Sequence, residues 1–239
     1  MKALDVLVIG AHPDDAELGC GGTILRLTDA GRRVGVLDLT AGEKGSRGTA
    51  KTRAAEAKRA TKLARLALRE TLDFPDTELE PTMALRKAIV AAIRRHRPQI
   101  VLAPAPGDLH PDHAAAAQAV ADSVYPCGMK NFDAPGTPYR PARFFHYFMH
   151  DELAASIVVD VTSVWERRLA LARCFASQLH DPKAKDGFPT LISQPDFFSR
   201  IEARARVWGR RAGVEFGEPL AVRGALAVTD VAALFGGSA

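Results

Sequence analysis

The chain has 239 residues, with 32 Lys+Arg against 28 Asp+Glu, a formal charge of +4 and 47% apolar residues. That composition excludes a disordered or fibrous chain, and the length is enough to bury a substantial core. A surplus of four charges is too small to carry a nucleic-acid reading by itself. Cys20, Cys127 and Cys174 are scattered and lack CxxC spacing, which argues for a reducing compartment and against a disulfide framework. No apolar run approaches the ~18–20 residues of a membrane span, and the N-terminus enters a strand with no leader-like segment. The expectation is a cytoplasmic protein without membrane association.

In chain order, residues 4–10 form a nearly continuous apolar run, the mark of a strand buried on both faces of a parallel sheet. A helix follows over 17–30 and stops at Gly31, and residues 34–39 read as a second strand. A loop carrying Gly42, Gly45 and Gly48 leads into a helix expected over 50–68, then a short strand over 71–74 that ends at Pro75. Pro81 opens a helix reaching Arg97, and residues 100–103 are the fourth strand. Strands over 143–148 and 157–161 and helices over 164–177 and 195–212 complete the pattern. Strands alternating with helices specify an α/β fold with a mostly parallel sheet and helices on both faces. With no repeat or linker in view, residues 1–239 are expected to form one domain with a less regular C-terminal third.

Open parallel sheets bind ligands beyond the carboxyl ends of their strands. The first strand ends in Gly10-Ala11-His12-Pro13-Asp14-Asp15, and the fourth leads through a Pro- and Gly-rich loop to His110-Pro111-Asp112-His113. Two His-Pro-Asp motifs therefore reach the same edge. A metal explains both: His12, Asp15 and His113 offer two nitrogens and one oxygen, with a position left open for water. Pro13 stiffens the turn that brings His12 and Asp15 together. The plainer alternative is helix capping, by Asp14 or Asp15 in the first motif and by Asp112 in the second.

The segment AHPDDAELGCGGT followed by HPDH resembles the LmbE/PIG-L family of metal-dependent N-deacetylases. The stretches 38–57, 174–178 and 201–220 are similar to its bacillithiol-pathway branch, which acts on N-acetylglucosaminyl malate. The resemblance implies a Rossmann-like fold, a small-molecule N-acetylglucosaminyl substrate and a homo-oligomer, with hexamers among the family's assemblies. It also implies Zn²⁺ on His12, Asp15 and His113, with Fe²⁺ the alternative, and Asp14 as general base. The chemistry agrees, since Zn²⁺ brings the pKa of its water from 15.7 to about 7 and a base must take the proton. His110 is then expected to stabilise the oxyanion or protonate the leaving amine, with Asp112 accepting its ring N–H. Some relatives use a mobile Tyr in a C-terminal loop. Residues 178–199 contain none, and Gln194 is the remaining candidate donor.

Arg53 falls on the apolar side of its helix with Ala57, Ala60 and Ala64, away from a basic stripe of Lys51, Lys58, Lys62, Arg65 and Arg69. A core-facing Arg needs an anion, either Glu56 in a structural pair or a substrate carboxylate held bidentately. The resemblance implies the second. Between Glu43 and Glu70 lie nine Lys/Arg and three acidic residues, so the basic balance belongs to one loop and helix. Gly19-Cys20-Gly21-Gly22 with Asp38 is a decoy for a dinucleotide site, because carboxylates occupy the turn a pyrophosphate needs. Those glycines are expected to serve helix packing. His96, His146 and His150 read as structural, and His180 stays unassigned. An iron enzyme with two His and one carboxylate and a salt-sensitive nucleic-acid binder are the competing classes. The first gives Asp14 no task, and the second leaves both motifs unexplained.

Overall fold

In a computed structural model, which describes residues 2–150, 154–182 and 188–227, the first apolar run forms β1 (Val6–Gly10), buried throughout. Val6 and Val8 enter the core on one face of the sheet, and Leu7 and Ile9 enter the core on the other, as a two-residue period requires. There follow α1 (Asp15–Asp29), β2 (Val34–Asp38), α2 (Ala50–Leu63) and β3 (Leu68–Thr71). Next come α3 (Met83–His96), β4 (Ile100–Pro104), α4 (Pro111–Val124) and β5 (Arg143–Tyr147). The C-terminal part supplies β6 (Ile157–Asp160), α5 (Trp165–Ala172), α6 (Phe197–Ala212) and β7 (Gly217–Val222).

Seven strands make one sheet in the order β3-β2-β1-β4-β5-β7-β6. The first five in sequence run parallel, while β7 is antiparallel to both neighbours. The α1, α2 and α5 helices pack on one face, and α3 and α4 on the other. This is the α/β layering expected from the sequence. The glycines of α1 serve contact: a Cβ on Gly19 would stand 2.4 Å from the Tyr147 ring, and one on Gly22 would stand 2.7 Å from Val161.

Four expectations are corrected. The α2 helix ends at Leu63 instead of 68, because Arg65 takes a left-handed conformation (φ 53°) and turns the chain. In consequence β3 begins at Leu68 instead of 71, and Arg69 leaves the solvated stripe. Its guanidinium forks onto Asp38 at 2.7 and 2.9 Å and reaches Glu17 at 2.6 Å. The helix expected over 164–177 is broken: α5 is flanked by 3₁₀ turns, and Phe175 is non-helical. The β7 strand was not expected, and it carries Pro219, a residue that cannot donate to a ladder. It is tolerated because the pairing with β5 stops at Leu220, leaving Pro219 opposite β6 alone.

Candidate active site

The turn after β1 is under strain. Asp14 has φ 144°, a region that favours glycine, and such a conformation costs about 1–3 kcal/mol unless its surroundings impose it. They do so here through Arg53, whose Nη2 donates to Asp14 Oδ1 and to the Pro13 carbonyl, both at 2.9 Å. Asp14 stands at the head of α1 but makes no side-chain cap bond. Asp15 instead turns back, and its Oδ2 accepts the His12 backbone N–H at 3.0 Å.

At the second motif the cap is His110. Its Nδ1 accepts the Asp112 backbone N–H at 3.1 Å, which corrects the expectation that Asp112 would cap the helix or hold the His110 ring. The Asp112 carboxylate turns elsewhere. It accepts from the Thr77 N–H at 2.8 Å and the Leu79 N–H at 3.3 Å, and it lies 3.1 Å from His12 Nε2.

These two turns bring His12, Asp15 and His113 together, with one potential ligand atom from each inside a 4.8 Å sphere of mutual distances. His113 Nε2 is 3.2 Å from Asp15 Oδ1, and His12 Nδ1 is 3.7 Å from Asp15 Oδ2. The opposite nitrogen of each ring meets a carboxylate: His113 Nδ1 meets Asp108 at 2.9 Å, and His12 Nε2 meets Asp112 and Asp76 at 3.1 Å each. Outer carboxylates of this kind orient imidazoles for a metal and raise their basicity. The charge balance agrees. Five carboxylates, Asp14, Asp15, Asp76, Asp108 and Asp112, each at most 6% exposed at the side chain, lie around the buried cation Arg53. The donor set therefore fits a divalent cation.

Burial alone would lower the His113 pKa, but Asp15 and Asp108 push it up to about 10. His12 is raised in the same way, burial being outweighed by Asp112, Asp15 and Asp76. Asp15 is buried too, yet His113 and His12 hold it well below the usual carboxylate range. Asp14 behaves differently. Burial raises it and Arg53 lowers it, which leaves it at about 6, poised for proton transfer near neutrality. Burial and the neighbouring His113 and His12 lower His110. Because Nδ1 of His110 accepts a backbone N–H, its ring proton resides on Nε2.

Arg53 is buried, as its helical position implies, but Glu56 is not its partner. Glu56 instead accepts from Ser177 N and Oγ at 2.8 Å. Gly42 (φ 64°) completes the Arg53 cradle, since a Cβ there would stand 2.1 Å from Nη1. The Gln194 side chain donates to Thr190 O in its own loop, and His180 is exposed. Sequence reasoning missed Asp76 and Asp108 and took His150 as structural. His150 Nδ1 lies 2.9 Å from Asp108, and its ring stacks on His113 with centroids 5.7 Å apart. The available signal was position, because all three follow the carboxyl ends of β3, β4 and β5.

The family model PIG-L, described as GlcNAc-PI de-N-acetylase, matches residues 7–124. The diacetylchitobiose deacetylase of Thermococcus kodakarensis is 36% identical over 188 residues, covering 72% of this chain and 69% of that protein. The chain belongs to the PIG-L family. The crystal structure of the conserved protein TT1542 from Thermus thermophilus aligns with a TM-score of 0.85 at 35% identity, over 94% of this chain and 97% of that one. A probable N-acetyl-α-D-glucosaminyl L-malate deacetylase of Bacillus anthracis is 30% identical over 132 residues, covering 50% of this chain and 58% of that protein. As a PIG-L member the chain is a deacetylase, a hydrolase of an amide C–N bond. Among the described residues, no helix is long and apolar enough to cross a membrane.

Proposed function

We propose that the chain removes the N-acetyl group from an N-acetylglucosaminyl conjugate, with Zn²⁺ held by His12, Asp15 and His113 and Fe²⁺ as the alternative ion. The observation that carries this reading is Asp14, a strained, buried carboxylate near pH 6 next to a three-donor cluster. A hydrolase has use for such a base, whereas an iron oxygenase with the same ligands has none. A divalent metal there would polarise the acyl oxygen and lower the pKa of a neighbouring water.

The chain's own groups supply the rest. Arg53 fixes one Asp14 oxygen, so the other is left to take the proton of the attacking water. That proton is the one the departing amine needs when the C–N bond breaks. His110 presents Nε2–H, a neutral donor suited to the developing oxyanion. Asp112, assigned to His110 from sequence, orients His12 instead. Arg53, assigned to a substrate carboxylate, is already committed to Asp14, Pro13 and Gly42. N-Acetylglucosaminyl malate thus keeps the support of the Bacillus relative and loses that of Arg53. Three free cysteines support a cytoplasmic setting, and the resemblance to the family supports a homo-oligomer.

The test is amine release from the methyl glycoside of N-acetylglucosamine, N,N′-diacetylchitobiose and N-acetylglucosaminyl malate by the metal-loaded protein. Asp14→Ala is expected to lose about 10²–10⁴-fold in kcat while metal content by mass spectrometry stays the same. Absence of amine from all three substrates overturns the reading.

A further inference from the structure

A cavity of about 300 Å³ adjoins the catalytic cluster. Two of its lining residues belong to that cluster's surroundings: Leu109 precedes His110, and His150 shares the Asp108 carboxylate with His113. Beyond them the walls are apolar, formed by Leu18, Trp165, Phe197, Ile201 and Ala205. Two buried polar side chains, together with the half-buried Arg204 and the exposed Arg200, also line the space. Glu218 is saturated by Gly22 N, Thr23 N, Thr23 Oγ1 and Arg168 Nε. Arg168, only 4% exposed, keeps a buried Nη1 without a hydrogen-bond partner.

We propose that this cavity is the aglycone subsite, and that the substrate carries an apolar alkyl or aryl aglycone. The inference rests on the N-acetyl reading above. An acetyl group needs room for one methyl, so the larger apolar space belongs to the other end of the sugar. The volume lies at the lower end of the range for ligand pockets, about 300–1,000 Å³, and an apolar wall with a few buried polar groups is their usual make-up.

The experiment compares octyl and methyl glycosides of N-acetylglucosamine as substrates. Wild type is expected to show a KM at least about tenfold lower for the octyl glycoside. In Ile201→Glu the octyl-to-methyl ratio of kcat/KM should fall to near one. Ala205→Phe fills the cavity while keeping it apolar, and it should give the same loss if Ile201→Glu does not fold. Equal kcat/KM for the two glycosides in wild type overturns the proposal, as does a preference that survives both substitutions. If neither of these glycosides, nor N,N′-diacetylchitobiose, nor N-acetylglucosaminyl malate releases amine, the N-acetylglucosaminyl reading fails, and calorimetric titration with octyl glucoside then tests the cavity separately. Binding by wild type that is lost in Ala205→Phe upholds the subsite, and no binding overturns it. Dissociation of an oligomer by Leu191→Glu, without any octyl preference, assigns the cavity to a subunit contact and likewise overturns it.

Discussion

Asp14 and Arg53 form a unit in which each side chain sets the state of the other. Arg53 lies among the alanines of α2, where helical periodicity alone places it. Its partner lies 39 residues away in sequence, beyond the reach of any local pattern. The pair gives a signed prediction. Arg53 lowers the Asp14 pKa against the pull of burial, and the proposed base must be ionised to work. In Arg53→Met that pKa rises, so the acidic limb of kcat/KM moves to higher pH, for neutral and anionic substrates alike. A bound metal shifts the whole profile but not the sign of this change. A KM effect confined to the malate glycoside, with the limb unmoved, would return Arg53 to the anchoring role expected from sequence.

At the scale of elements, β3 shows both what the pattern revealed and what it hid. Apolar runs bounded by turn residues located β1, β2 and β4 within a residue or two, because strands buried on both faces have little else to encode. The α2–β3 junction was misplaced because Ala64, Leu66 and Ala67 continue a helical composition past the left-handed Arg65. That slip put Arg69 on a solvated face, when it ties β3 to β2 and α1. Arg69→Met strands Asp38 and Glu17 without a cation, a change that costs about 3–5 kcal/mol in buried pairs. Denaturant unfolding should show a loss of that size with the metal content preserved. The paired His-Pro-Asp motifs pointed to His12, Asp15 and His113 because they follow β1 and β4, which are neighbours in the sheet. Asp76 and Asp108 went unnoticed because a single Asp in a loop has many readings, and only the folded sheet edge selects among them.

For the whole molecule, metal and stability are linked through the surplus of buried carboxylate. An ion that binds only the folded chain stabilises it by about 2.7 kcal/mol at a hundredfold excess over Kd. For this size that is roughly 5–10 °C in Tm, lost on chelation and read by scanning calorimetry. His12 and His113 are pushed up, so protons compete with the cation, and affinity should rise with pH while binding releases protons. Asp108→Asn leaves all three proposed ligand residues in place and removes one outer carboxylate. It should weaken metal binding about 10–100-fold by calorimetric titration. An unchanged affinity would mean that Asp108 serves His150 alone.

The late strand β7 adds a consequence in time. It fills the gap between β5 and β6 and carries Glu218, which clamps the Gly22–Thr23 stretch of α1 and Arg168 of α5. All the proposed metal ligands precede it by a hundred residues or more. During synthesis the ligands therefore emerge well before the strand that clamps their helix, and long-range pairing of this kind forms slowly. A ribosome-bound chain halted before Gly217 should leave α1 unclamped and β6 without its neighbour. Completion of the proposed ion site then waits on β7, although every one of its proposed ligands is made before that strand.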